Sequence, residues 1–241
     1  MAVSYFISDL HLAAQRLEST ETLLRFLREL APRAEQLFIL GDLFEYWIGD
    51  EALGEPMPTQ VAAALRELAA KGTAVFFMHG NRDFLVGERF AQAAGLRLLP
   101  DPFMAALYGT DTLLMHGDTL CSDDIEYQKF RAMVRNPAWQ TAFLAKPVAE
   151  RIEVARSVRA ESEQAKQSKS MTIMDVSTPT VESVLREHNY PRLIHGHTHR
   201  PATHHHVVDG RTCERIVLAD WYGRGSYLEC DQNGCRAVAI D

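Results

Sequence analysis

Five apolar runs in this chain end in residues able to bind cations or phosphate: Asp9-Leu10-His11, Gly41-Asp42, Gly80-Asn81-Arg82-Asp83, His116-Gly117-Asp118 and Gly196-His197-Thr198-His199. A carboxylate and an imidazole two residues apart, as in Asp9 and His11, face the same way in extended chain. Together they make a hard-to-borderline metal pair. His197 and His199 repeat the spacing. The carbonyl oxygen of Asn81 suits Mn²⁺ or Mg²⁺, and Arg82 is a fixed planar cation suited to phosphate. Each motif alone has an ordinary structural reading: a capping Asp, a surface His, a Gly-Asn turn. Five of them, all at strand ends, point to one metal site.

Those ends need strands to carry them. Residues 37–42, Leu-Phe-Ile-Leu-Gly-Asp, form the plainest case: a short apolar run bounded by a glycine reads as a buried strand. Asp42 then sits at a strand tip, where α/β folds place their ligands. Further strands are expected at 3–8, 73–78, 112–115 and 192–194, each running into one of the motifs. The run 103–108 pairs with 112–115 in a hairpin around residues 109–111. Strands 203–208 and 212–218 flank Asp209-Gly210, and 226–230 and 235–240 flank Asn233-Gly234, both hairpin dipeptides. Helices are expected at 19–30, 56–68 and 84–93 from apolar periodicity and Pro or Gly punctuation. Between 123 and 188 the pattern turns helical (124–134, 137–145, 147–168, 178–188), which reads as an insert within a single domain spanning 1–241. Phe44, Tyr46, Trp47 and Ile48 form a cluster just past a strand tip, core or pocket wall, with the core expected for most of it. His204, His205 and His206 lie inside a strand, so their side chains alternate between faces. They read as surface and core histidines rather than as a metal tract.

Composition bounds the function class. A chain of 241 residues with 46% hydrophobic and 24% charged residues is ordinary for a globular domain. A formal net charge of -7 argues against nucleic acid as a partner. The four cysteines form no Cys-x-x-Cys pair, the opening strand-like run shows no basic n-region or cleavage site, and no run approaches the ~18 apolar residues of a membrane-spanning helix. A reducing, cytoplasmic compartment is the expectation. Arg159, Ser162, Lys166 and Lys169 fall at spacings of three, four and three and share one helical face of the insert. That face is either merely solvated or a cationic binding surface.

The order of the five motifs resembles the calcineurin-like metallophosphoesterase superfamily over nearly the whole chain. The resemblance implies an α/β fold, a two-sheet sandwich flanked by helices with a helical lid insertion, and a dinuclear metal centre. On that pattern Asp9, His11, Asp42 and His199 hold one ion, and Asp42, Asn81, His116 and His197 hold the other. Asp42 bridges them. Two divalent ions about 3.5–4 Å apart activate water and clamp a phosphoryl oxygen. Oxygen-rich ligands with neutral imidazoles and no thiolate favour two Mn²⁺ over zinc.

One departure narrows the resemblance. The superfamily commonly has Gly-Asn-His at the third motif, whereas this chain has Arg82. With residues 116–124, the helical insert and Ile173-Met174-Asp175-Val176, the chain looks like the lipid A pathway pyrophosphatases that cleave a diacylated UDP-sugar. That implies water attack on the α-phosphorus, release of UMP and a lipid-linked sugar phosphate, and a peripheral position on the cytoplasmic face of the bacterial inner membrane. It implies substrate contacts from Asn81, Arg82, Asp124, Ser162, Lys166, Lys169 and His197, and catalytic roles for Asp42, Asn81, Arg82 and His116. The sequence suggests no protein partner. The competing readings are a general phosphodiesterase or nucleotide pyrophosphatase of the same superfamily, a non-catalytic scaffold, and a membrane-surface binding protein.

Overall fold

The computed structural model describes residues 2–168 and 175–240, without the side chains of 163 and 165–168. Strands β1 (Ser4–Ile7), β2 (Gln36–Ile39), β3 (Ala74–Met78) and β4 (Arg97–Leu99) run parallel and adjacent in one sheet. A second sheet orders β5 (Phe103–Leu107), β6 (Thr110–Met115), β7 (Arg192–His195), β9 (Arg211–Val217) and β8 (Ala202–Val208). Its centre, β6-β7-β9, is parallel, and its two edges are antiparallel. Strands β10 (Ser226–Asp231) and β11 (Gly234–Ala239) return to the first sheet antiparallel beside β1.

Alternation along each strand decides the layers. On β1, Phe6 joins Phe38, Leu40, Met78, Leu114, Ile194 and Ile216 in the core between the sheets. Its neighbours Tyr5 and Ile7 point the other way, into a cluster with α1 (Leu17–Glu29), α2 (Pro56–Ala70) and α3 (Glu88–Ala94). The outer face of the second sheet packs Leu113, Met115 and Leu193 against Val181 and Leu185 of a further helix. The product is a helix–sheet–sheet–helix sandwich, with the parallel strands of both sheets ending on one side.

Between β6 and β7 the chain forms α4 (Ile125–Val134), α5 (Pro137–Leu144), α6 (Val148–Ser168) and α7 (Thr178–Glu187). Helix α7 is the one that covers the second sheet. The start of α6 is tied to the body by Arg151, which is 2% exposed and donates to the Ile48 carbonyl at 2.5 Å.

Several boundaries differ from expectation for identifiable reasons. Helix α3 starts at Glu88 rather than at residue 84 because its first turn is capped from afar. The Asp50 carboxylate accepts from the backbone N–H of Gly87 (2.9 Å), Arg89 (2.9 Å) and Phe90 (3.1 Å). The β5–β6 turn is Tyr108-Gly109, both at positive φ, one step before the expected tip. In the last hairpin Asp231 pairs with Gly234, so the turn is Gln232-Asn233. Helix α7 starts at Thr178 as expected, with Ser177 in the N-cap position. Strand β4, three residues long, was not expected at all. Phe44, Trp47 and Ile48 are core, and Tyr46 is exposed. His204, His205 and His206 all lie on the exposed edge strand β8, and none is core. Cys230 and Cys235 are joined by a disulfide across β10–β11, a bond more usual in oxidising compartments, while Cys121 and Cys213 are buried thiols. Among the described residues no helix is long and apolar enough to cross a membrane.

Candidate metal centre

The five motifs meet at the C-terminal ends of β1, β2, β3, β6 and β7. Asp9, His11, Asp42 and His116 are all buried, at 0–1% exposure. The two spaced pairs converge by a different route from simple strand alternation. Asp9, His11, Asp42, His197 and His199 all have positive φ, between 50° and 68°. Each of these side chains is therefore aimed by a left-handed residue just past its strand. Asp and His are among the few non-glycine residues that tolerate this, and such strain concentrates at functional sites. Backbone bonds hold the loops in place: His11 N–H donates to the Asp42 carbonyl at 2.9 Å, and Asp9 N–H to the Gly41 carbonyl at 3.1 Å.

The side chains fall into two groups about Asp42. Its Oδ2 lies 3.8 Å from His11 Nε2, and its Oδ1 lies 3.8 Å from His116 Nε2. On the first side His199 Nε2 is 3.3 Å from both His11 Nε2 and Asp9 Oδ1. On the second, the Asn81 carboxamide lies 3.0 Å from His116 Nε2 and 2.9 Å from His197 Nδ1. With the oxygen of Asn81 toward those rings, three lone-pair atoms converge, an arrangement a cation satisfies. With the amide turned, its nitrogen reaches both rings and Asp42 Oδ2 at 3.2 Å instead. Two glycines make room. A Cβ on Gly80 would overlap the Asp42 carboxylate, and one on Gly196 would overlap Asp9 and Ser8.

The donor set fits divalent cations. Asp9 Oδ2 accepts from Ser8 Oγ (2.5 Å) and His197 N–H (2.9 Å), whereas buried Oδ1 faces His199 Nε2 at 3.3 Å and the cluster. Burial, reinforced by the Asp83 and Asp9 charges against the opposing His116, pushes Asp42 up to about 7. Burial also works against a charged His116, but Asp42, Asp118 and Asp9 outweigh it and raise the imidazole to about 9. Negative charge is thus crowded here around protons that a metal ion would replace. Burial and the neighbouring His116 hold His197 neutral, down at about 3, with one ring-nitrogen lone pair available. Asp9-His11-His199 and Asp9-Asp42-His116 each bring three ligand atoms within 4.8 Å of one another.

The remaining site candidates are distributed differently. Arg82 is half-buried beside Asn81, and its N–H donates to Asp42 Oδ1 at 2.8 Å. Asp124 and Ser162 lie on the insert rather than in the cluster. Asp124 caps α4 by accepting from Tyr127 N–H at 3.2 Å, and Ser162 is half-buried on α6. Lys169, Ile173, Met174 and the side chain of Lys166 lie outside the described residues. Arg159, expected to share a face with Ser162, is paired with Glu45.

Residues without an assigned role from sequence complete the site. Asp83, quoted above only as the end of a motif, accepts from the backbone N–H of Gly80, Asp42, Leu43 and Phe44 and so fixes two ligand loops to each other. Asp118 Oδ2 accepts from Tyr127 OH (2.5 Å) and Arg131 Nε (2.7 Å), which ties α4 to the His116 loop. Asp220 Oδ2 lies 3.4 Å from His199 Nδ1. It follows a strand parallel to β7, so the strand-end pattern that marked the other motifs would have found it.

Comparison with known proteins gives one answer. Residues 4–201 match the calcineurin-like phosphoesterase family. A protein of Aromatoleum aromaticum named UDP-2,3-diacylglucosamine hydrolase is 55% identical over 229 residues, covering 95% of this chain and 93% of that protein. Proteins with the same name from Stenotrophomonas maltophilia and Edwardsiella ictaluri are 52% and 48% identical, each across at least 91% of both chains.

Proposed function

The chain belongs to the calcineurin-like phosphoesterase family, and from that premise we propose that it hydrolyses UDP-2,3-diacylglucosamine at the diphosphate. The products are UMP and 2,3-diacylglucosamine 1-phosphate, a step of lipid A synthesis. The reading is supported by the shared name of relatives at about half identity over nearly the full chain. The single observation that carries the chemistry is Asp42, whose two oxygens face two separate groups of nitrogen and oxygen donors.

In this reading Asp9, His11, Asp42 and His199 hold one ion, and Asp42, Asn81, His116 and His197 the other, with two Mn²⁺ as the resident metals. When bound, the ions supply Lewis-acid activation of water and charge neutralisation at phosphoryl oxygens. The chain's own residues do the rest. Arg82 presents a forked, permanently charged donor to the diphosphate. Asn81 and His197 border the same phosphoryl group, and Asp124, Ser162, Lys166 and Lys169 of the insert take the acylated sugar phosphate. Attack at the α-phosphorus makes that sugar phosphate the leaving group. A phosphate leaves without needing a proton, which is why an arginine can stand where relatives of the superfamily carry an imidazole. Of the helices between β6 and β7, α4 to α6 act as a lid on the single domain while α7 covers the second sheet, and the lipid substrate brings the protein to the cytoplasmic face of the inner membrane as a peripheral protein.

The test is direct: purified protein, Mn²⁺ and UDP-2,3-diacylglucosamine, with UMP as the readout. UMP from the diacylated substrate and little from an unacylated UDP-sugar is the expected result. Equal turnover of both would replace this reading by a general nucleotide pyrophosphatase.

A further inference from the structure

Glu45 lies three residues beyond Asp42, outside the ligand set, and its carboxylate is almost fully enclosed, with a side-chain exposure of 12%. Its position is set by backbone register. The loops after β1 and β2 continue side by side, with Leu12 N–H donating to Leu43 O at 2.9 Å and Glu45 N–H to Leu12 O at 3.0 Å. That pairing brings Glu45 Oε2 to 3.5 Å from Nδ1 of His11, the ring nitrogen facing away from the cluster. Arg16 Nη2 stands 3.8 Å from the same oxygen. The other oxygen, Oε1, is paired with the Arg159 guanidinium of α6. Tyr222 closes the arrangement: its ring stacks on His11 at 5.2 Å and 19°, and the Arg16 guanidinium lies 4.2 Å from its centroid.

Two consequences follow from chemistry. At 3.5 Å the contact is electrostatic rather than a closed hydrogen bond, yet a carboxylate facing Nδ1 favours the imidazole tautomer that carries its hydrogen there, with the Nε2 lone pair facing Asp9, Asp42 and His199. Partners of this kind orient a ligating histidine and raise its basicity. The same carboxylate is also the seat of α6, since Arg159 reaches the body of the protein there. Withdrawing one cation from an enclosed carboxylate costs free energy and shifts its charge toward the remaining groups, His11 and Arg16, so the state of the Arg159 contact is felt at His11.

We infer that Glu45 is a positioning residue that couples the inserted helix to the metal centre, orienting His11 from behind while receiving Arg159 from α6. Docking of α6 and ordering of the first metal half-site are then one event. The inference rests on the metal reading proposed above and goes beyond it, since it assigns the insert a part in metal binding as well as in holding substrate.

The experiment measures metal binding and helix order, not turnover. Chelator-stripped protein is titrated with Mn²⁺ by calorimetry for wild type, Glu45→Gln, Arg159→Ala and the double variant. Amide hydrogen exchange of α6 is followed with and without Mn²⁺. Glu45→Gln keeps the shape but offers Nδ1 an amide donor, which favours the wrong tautomer. It is expected to weaken the tighter Mn²⁺ step by roughly 10–100-fold. Arg159→Ala should weaken it by a smaller factor, and the double variant should be no worse than Glu45→Gln alone. Mn²⁺ should slow exchange in α6 of the wild type and leave it unchanged in Glu45→Gln. Additive losses in the double variant, or α6 exchange indifferent to Mn²⁺ in the wild type, would overturn the coupling while leaving the metal reading intact. Wild-type protein that binds no Mn²⁺ would overturn the metal reading itself, and the coupling with it.

Discussion

Gly80 presses its bare Cα against Asp42, so closely that a Cβ would overlap both Oδ1 and the backbone nitrogen of that residue. The carboxylate is pinned from the other direction by Arg82 N–H at 2.8 Å. Gly80→Ala must therefore move Asp42, and the two donor groups that share it lose their common member. A displacement of this kind costs on the order of 10²-fold in turnover. Steady-state kinetics beside circular-dichroism melting would check it, and wild-type turnover in Gly80→Ala would show that Asp42 has slack.

Asp83 should matter more to the fold than to the chemistry. It is fully buried, and its two oxygens serve the N–H groups of Gly80, Asp42, Leu43 and Phe44 at 2.7–3.3 Å. Asp83→Ala leaves several buried donors without partners at ~1–3 kcal/mol each, though not additively. A fall in melting temperature on the order of 10 °C is expected, with Asp83→Asn milder because one oxygen survives. Melting within a degree or two of wild type would mean that the two loops hold each other without it.

The chemistry-bearing residues were legible in the sequence because each closes an apolar run, and a strand tip is a fixed place in an α/β fold. How they converge was not legible. Strand alternation was the expected device for Asp9 with His11 and for His197 with His199, yet all four have positive φ. Residue type permits that conformation without announcing it. Glu45 and Asp83 carry no signal in the sequence for a related reason. Their partners are set by how separate loops lie side by side, which periodicity within one segment does not encode. Helix α3 makes the same point for the fold: its start is decided by Asp50, nearly forty residues earlier in the chain.

Stability should fall with pH through Asp101. Burial, reinforced by the Asp118 charge, pushes this carboxyl from 3.8 up to about 6, and His116, followed by Arg131 at 3.8 Å, offsets it only in part. The folded value lies above the unfolded one, so the folded state binds the extra proton between those limits. Stability is then full at the acid end of that window and declines by ~3 kcal/mol as pH rises through it. Asp101→Asn removes the penalty, so its melting temperature relative to wild type should climb between about pH 4.5 and pH 8. A gap that stays constant over that range would show that Asp101 ionises without cost.

Chelation should abolish UMP release, and Mn²⁺ should restore it. Asp42→Asn should not be restored in the same way. The carboxamide keeps the shape but loses the charge shared between the two groups, and a loss of ~10³-fold or more is expected because the metals supply much of the barrier reduction. Near-normal turnover by Asp42→Asn would refute a shared, bridging carboxylate.

Arg82 carries the prediction that separates an acylated-nucleotide pyrophosphatase from a general phosphodiesterase. Its backbone is locked by bonds to Asp42 Oδ1 and, through its carbonyl, to Trp47 N–H at 3.1 Å, so the side chain leaves from a fixed point beside Asn81. A guanidinium offers a planar fork of N–H donors and no acceptor. Its use is electrostatic, as paired donors to non-bridging phosphate oxygens. Arg82→Lys keeps the charge but not the fork, and should lose on the order of 10²-fold in turnover, as removal of an oriented donor does elsewhere. Arg82→His restores the commoner motif of the superfamily, yet should not recover wild-type turnover, because the diphosphate loses its clamp. The comparison is kcat and KM of the three proteins on UDP-2,3-diacylglucosamine at saturating Mn²⁺. If Arg82→His matches wild type, the position is a tolerant variant of the usual histidine and the clamp is made elsewhere.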